Sequence, residues 1–218
     1  EHAQGTWEEW YCEDERGRPV WLIEEEGRFR LDKAVDNGLP KGIADAAIGD
    51  AFRVLGQDFQ VTETGEAKVA GGEGQLPRDF KPGEKIRFLE LSAVKGKEIL
   101  SIEVSGEVVD GFVGHALSRA SVDFPRHWRP AAIREKAKST PCAGCGAAMD
   151  IRPLPGPVKT LSCTYCGSVH SLHGDAASLL GEIAPREDFH LLVGARGKLN
   201  ETDYEVIGRL VYESIGLD

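Results

Sequence analysis

Two short stretches, Pro141-Cys-Ala-Gly-Cys-Gly-Ala147 and Leu161-Ser-Cys-Thr-Tyr-Cys-Gly-Ser168, decide how this chain is read. They hold four of its five cysteines, Cys142, Cys145, Cys163 and Cys166, as two CxxCG knuckles with 17 residues between them. This is the spacing of a four-thiolate zinc ribbon, in which each knuckle turns tightly and aims both sulfurs at one ion. Gly146 and Gly167 follow the second cysteine of each pair, where a positive φ lets backbone N–H groups point at the thiolates. The expectation is a closed, tetrahedral Zn2+ site that is structural, with no position open to water or substrate. Iron would fit the same sulfurs; zinc is the default because nothing nearby suggests electron transfer. A disulfide framework would suit a secreted protein, but no signal peptide is visible and the cysteines are not spread along the chain. A redox dithiol needs only one CxxC, beside a βαβ unit that is not evident.

Outward from the ribbon, charge is uneven. The 218 residues carry a formal charge of −10, which argues against bulk attraction to nucleic acid or anionic lipid. Between Arg126 and Gly174, however, seven Lys/Arg stand against two acids, leaving 19 basic and 34 acidic residues elsewhere. A basic ribbon in an acidic protein is expected to dock on its own neighbours, with an anionic partner as the alternative. There is no run of about 18 apolar residues, so no membrane span is predicted, and reduced cysteines suggest the cytoplasm. The only methionine is Met149, so the chain is expected to be a piece of a longer protein.

The remainder reads as mainly β: small β-barrel, SH3-like or sandwich-like units plus the ribbon. Thr6-Trp-Glu-Glu-Trp-Tyr-Cys12, Pro19-Val-Trp-Leu-Ile23 and Arg28-Phe-Arg-Leu31 are three strands bounded by Gly and acid clusters. Alternation puts Trp7 and Tyr11 on one face and Trp10 and Cys12 on the other, with Cys12 a small buried hydrophobe. Ile43–Ala47 is expected to form one helical turn. Short strands follow at Ala51–Leu55, Phe59–Glu63, Ala67–Ala70, Lys85–Leu91, Glu98–Val104 and Glu107–Phe112. Gly71-Gly-Glu-Gly74 and Phe80-Lys-Pro-Gly83 are loops, and Ser105-Gly106 is a tight turn. Residues 131–138 are expected to form a short basic helix, and Asp175–Glu182 a helix with Asp175 as N-cap. Strands at 196–199 and 203–213 end the chain. The predicted units are 1–35, the second half of a β-domain; 48–117, a small barrel; 118–140, a linker; 141–174, the ribbon; and 175–218, a helix and the first half of a following β-domain.

A repeat supports this division. Ile48-Gly-Asp-Ala-Phe-Arg-Val-Leu-Gly-Gln-Asp-Phe-Gln-Val61 aligns without gaps on Val193-Gly-Ala-Arg-Gly-Lys-Leu-Asn-Glu-Thr-Asp-Tyr-Glu-Val206, suggesting one β unit used twice. Gly194-Ala-Arg-Gly-Lys-Leu199, Tyr204-Glu-Val-Ile-Gly-Arg-Leu-Val-Tyr212, Gly5-Thr-Trp-Glu-Glu-Trp-Tyr11 and the segment from Ile48 to about Leu117 together resemble a bacterial family, domain of unknown function 4178. The pieces stand in reversed order, as if the chain began inside one domain and stopped inside the next. The resemblance implies tandem β-domains alternating with CxxC ribbons, and a link to bacterial envelope stress. A cut sheet exposes an edge, so residues 196–213 are expected to pair with 6–31, or to swap between two chains.

No catalytic constellation is predicted. Gly194-Ala-Arg-Gly-Lys198 lacks the first glycine and the Ser/Thr of a P-loop. His170 and His173 follow Cys166 closely and are alternative ligands, but four cysteines already satisfy zinc. Glu24–Glu26 read as a solvated turn, and Glu63 and Glu66 as structural. The predicted function is a non-catalytic scaffold or protein-interaction module with an unidentified protein partner. The alternative is nucleic-acid binding through the ribbon, with Tyr165 and Trp128 as stacking candidates.

Overall fold

The computed structural model describes residues 5–125, 138–154, 158–173, 176–182 and 191–215. Its strands are β1 (Thr6–Asp14), β2 (Pro19–Glu25), β3 (Arg28–Ala34), β4 (Ala51–Val54), β5 (Gln57–Leu76), β6 (Lys85–Ala93), β7 (Glu98–Ser105) and β8 (Val108–Leu117). There follow β9 (Val122–Asp123), β10 (Lys138–Pro141), β11 (Ala148–Ile151), β12 (Thr160–Ser162), β13 (Ser168–His173), β14 (Ala176–Glu182), β15 (Arg196–Leu199) and β16 (Thr202–Ile215). A 3-10 turn at Ile43–Asp45 supplies the helical turn expected there, and a second lies at Arg119–Ser121. No helix among the described residues is long and apolar enough to cross a membrane.

The sheet closes on itself. Around the ring the order is β5-β6-β7-β8-β3-β2-β1-β16, and β16 pairs back onto β5, so eight antiparallel strands form a barrel. Strands 6–14 and 202–215 do pair, from Thr6↔Glu213 to Asp14↔Tyr204. The barrel is built from two similar halves. Each long strand, β5 and β16, is entered through a hairpin, β4–β5 or β15–β16, and each hairpin turns on two residues. Leu55 and Gly56 (φ 49 and 82) and Asn200 and Glu201 (φ 47 and 64) all lie at positive φ, the signature of a type I′ turn. The Gly49 N–H donates to Val61 O at 2.9 Å and the Gly194 N–H to Val206 O at 2.7 Å. Each long strand then carries a bulge, at Thr62 and at Ile207. Turn and hydrogen bond fall at matching positions of the aligned repeat, and the bulges fall one residue past its end in both copies.

Alternation divides the side chains as expected for β1. Tyr11 and Trp7 pack inward with Trp21 and Tyr212, while Trp10 and Cys12 pack outward with Val20, Leu22 and Leu31. The outer face is not bare. Ala195, Leu199 and Val122 cover one side, and Ile43, Ala46 and Val54 cover another. Cys12 is fully buried there, and burial drives its thiol far above the ordinary range.

Three sequence-based expectations change. Phe59–Glu63 and Ala67–Ala70 are parts of one 20-residue strand, β5, which also contains Gly71–Gly74. These glycines read as a loop, but a Cβ on Gly72 would stand 2.5 Å from the Phe80 ring and 3.1 Å from Leu210. The missing side chains make room for Phe80 and for β16. Residues 176–182 form strand β14, not a helix, because the open edge of β13 offers a ladder from Ser168↔Glu182 to His173↔Ala176. Seven residues give too few internal bonds to offset helix nucleation. Within 118–140, Val122–Asp123 joins the sheet as β9 and Lys138 begins β10; the remainder of the expected basic helix, together with Trp128 and Asp175, lies outside the described residues.

Candidate metal centre and the barrel interior

Each knuckle closes a hairpin. In the first, between β10 and β11, the Cys142 N–H donates to Ala147 O and the Gly146 N–H to Cys142 O, both at 2.8 Å. In the second, between β12 and β13, the Cys163 N–H donates to Ser168 O at 2.8 Å and the Gly167 N–H to Cys163 O at 2.9 Å. Gly146 (φ 78) and Gly167 (φ 73) adopt the left-handed conformation the turn requires. The four sulfurs converge. Cys142 Sγ lies 3.6 Å from Cys166 Sγ, Cys145 Sγ lies 3.8 Å from Cys163 Sγ, and all four fall within 4.8 Å of one another. Thiolates about 2.3 Å from one tetrahedral ion would stand about 3.8 Å apart, so the residues present fit a metal.

The electrostatics divide the thiols: the Ala147 N–H lowers Cys145, but its contacts with the Cys166, Cys142 and Cys163 sulfurs and burial outweigh this and push it up to about 12, whereas Cys142 and Cys166 are held down. All five cysteines are free thiols. Burial raises the Cys142 thiol, but the Cys145 and Gly144 N–H groups directed at its sulfur (3.5 and 3.3 Å) outweigh this and hold it down to about 6. Ser168 contacts the Cys166 sulfur at 3.1 Å and lowers it as well. Thiolates prepared in this way are ligands rather than buried hydrophobes. His170 is not among the converging atoms. It is fully buried, and its Nε2 accepts the Ala143 N–H at 3.1 Å, bracing the first knuckle from behind. His173 contacts Ser171 instead, at 3.3 Å.

The ribbon is stitched to the barrel. β12 extends the end of β5 through Thr160↔Leu76 and Leu161↔Gln75. Gln75 exchanges two hydrogen bonds with the Arg152 backbone, and the Arg152 guanidinium pairs with Glu205 at 2.5 Å. For Arg152, at least, basic ribbon meets acidic barrel. Arg126, Arg129, Arg134 and Lys136 lie outside the described residues.

A second group of side chains, candidates for a site, escaped the sequence reading. The barrel interior is charged. Arg30 pairs with Asp32 (2.9 Å) and Glu90 and donates to Ser101 Oγ at 2.6 Å. Arg78, from the β5–β6 loop, reaches in to pair with Glu103. Glu9 accepts the Trp7 indole N–H at 2.9 Å. Burial, helped by the Glu103 charge, pushes Glu9 from its ordinary 4.5 up to about 8. Burial likewise pushes Asp32 up to about 6 despite Arg30. Glu63 lines the same interior, whereas Glu66 does not join it. The sequence signal was there in the alternation Trp7-x-Glu9-x-Tyr11 and Arg30-x-Asp32, which the usual rule of polar residues outward concealed.

A closed antiparallel barrel that carries a four-cysteine ribbon able to hold a metal is the class that fold and site define. The sequence model of the family described as "Domain of unknown function (DUF4178)" matches residues 1–119, more than half of the chain, and the chain belongs to that family. No curated protein and no solved structure matches it significantly.

Proposed function

We propose that the protein is a non-catalytic interaction module in which a zinc-pinned ribbon, held rigidly against a β-barrel, presents a surface to a protein partner. Tyr165 carries this reading. It lies between Cys163 and Cys166, two of the four converging cysteines, and is 79% exposed, in a turn whose backbone a bound metal would fix. A rigid exposed aromatic loses little entropy on binding and suits an interface anchor. Four thiolates complete zinc's preferred shell, which supports a structural role for the metal. The family resemblance favours a partner from the bacterial envelope-stress response.

Two measurements test this. Elemental analysis of the purified protein should give one zinc per chain; iron, with its visible absorbance, would overturn the assignment. A photo-crosslinking residue at position 165 should trap one predominant protein in cells, and the product should vanish in Cys163→Ser. The same product from a crosslinker at Val108, exposed elsewhere on the barrel, would overturn the ribbon as the interaction surface. Salt-dependent capture of single-stranded nucleic acid by Tyr165 would favour the alternative partner.

A further inference from the structure

The barrel interior holds more than packing. A cavity of about 60 Å3 lies near the end where β1 begins and β2 finishes. Five carboxylates line it, Glu9, Glu25, Glu63, Glu90 and Glu103, against one cation, Arg30. Its walls are the rings of Trp7, Trp21, Phe88 and Phe112. Arg30 is already committed to Asp32, Glu90 and Ser101, and Arg78 behind it to Glu103. Glu9 is the exception. It is only 5% exposed and faces the cavity; the Trp7 indole N–H is its one hydrogen bond among the described residues, and no cation pairs with it directly, the charges of Arg78 and Arg30 offsetting only part of its burial. Nearer the rim, Glu25 feels burial and then the like charges of Glu90 and Glu63, all of which raise its carboxyl.

A buried carboxylate without a cation is costly, and aromatic faces attract cations. The two conditions coincide here. We propose that this cavity binds the primary ammonium group of a small organic cation, with Glu9 and the rim carboxylates accepting its N–H groups and the Trp7 and Phe88 rings flanking its carbon stem. A quaternary ammonium offers no N–H to Glu9. A bare metal ion would need several converging ligand atoms, and among the described residues the group of that kind is the four cysteine sulfurs, which do not line this cavity. This site is independent of the ribbon and of its proposed partner.

The test is a titration of the full chain with n-propylammonium chloride at constant ionic strength, following tryptophan fluorescence and melting temperature. About pH 9 is suitable, because it lies above the value near 8 to which Glu9 is pushed and leaves the ligand charged. A saturable fluorescence change and a raised melting temperature are expected. Tetramethylammonium should bind at least about tenfold more weakly, the equivalent of one charge-assisted hydrogen bond, and 1-propanol should not bind. Glu9→Gln should weaken propylammonium by about tenfold or more on the same grounds, while Glu26→Gln, in an exposed turn, should leave it unchanged. Should Glu9→Gln fail to fold, the double variant Glu25→Gln, Glu63→Gln at the exposed rim carries the same expectation. An equal response to propanol or sodium chloride, no saturable response, or unchanged affinity in the folded acid-to-amide variants would overturn the proposal.

Discussion

The indole of Trp7 lies on the phenol of Tyr212, with ring centroids 4.9 Å apart and planes 18° from parallel. The two residues sit opposite each other in the β1–β16 ladder, so the stack joins the two ends of the described chain across a seam of the barrel. Tyr212 is fully buried, and its hydroxyl also reaches Glu103 at 3.4 Å. Tyr212→Ala should therefore destabilise the protein by about 3–5 kcal/mol, the range for large aromatic truncations in a core. Urea unfolding followed by tryptophan fluorescence measures it. A loss below about 1 kcal/mol would mean that the seam is held by its backbone ladder alone.

The metal should govern the ribbon and little else. Cys163→Ser, or chelation, is expected to abolish hydrogen-exchange protection across residues 138–154 and 158–173 while the barrel strands keep theirs. Among the described residues the two units share a short ladder at Gln75 and Leu76, the Gln75–Arg152 bonds, the Arg152–Glu205 pair, side-chain bonds from Thr160, Ser162 and Ser171, and a core cluster that Val169 enters. Loss of protection in β6 and β7 as well would show that the barrel depends on the ribbon.

The buried carboxyls set a pH dependence whose sign is opposite to the usual one for acids. Glu9 and Asp32 have folded values raised above their unfolded ones, to about 8 and about 6. The folded state therefore binds their protons more tightly. That stability is fully present below about pH 4 and is lost as pH rises through 6 and then 8, roughly a few kcal/mol in total. Denaturation midpoints between pH 5 and 9 should fall, and Glu9→Gln should flatten the upper part of the slope. A flat profile in the wild type would show that neither group is shifted.

Two local substitutions test the backbone. Gly72→Val places a branched side chain where the Phe80 ring now sits and should cost about 1–3 kcal/mol through overpacking. Glu201→Gly relieves a non-glycine residue at φ 64 in the β15–β16 turn and should stabilise by about 0.5–1 kcal/mol. Thermal denaturation of each variant gives both signs directly.

Much of this structure could be read from local pattern. The knuckles were legible because metal chemistry fixes both the spacing and the following glycine, and β1–β3 because aromatic and β-branched residues stand between turn residues. The aligned repeat correctly marked two equivalent hairpins. What stayed hidden depends on closure. Once eight strands form a ring, one face of every strand becomes interior whatever its polarity. Arg30, Glu90 and Glu103 face inward because they pair with one another or with Arg78, and Glu9 faces inward with the Trp7 indole N–H on its carboxylate, while Leu22, Leu31, Leu89 and Leu100 face outward beneath covering segments. No alternation rule applied to one strand distinguishes these cases. The long β5 was concealed for a related reason: its glycines are shaped by Phe80 and β16, which are distant in sequence. Residues 176–182 carry a helix-like composition that the edge of β13 overrides.

The pairing of β16 with β5 also dictates an order of assembly. During synthesis β1 to β8 emerge first, with unpaired edges on both β1 and β5, which is an invitation to off-pathway association. The cysteine ribbon emerges next, and β16 last, to fill the gap between those edges. A ribbon that has already captured its ion and docked against Leu76 shortens the effective loop that β16 must close. The short ladder from β12 to Gln75 and Leu76 thus bears on closure of the ring as well as on the ribbon's own docking.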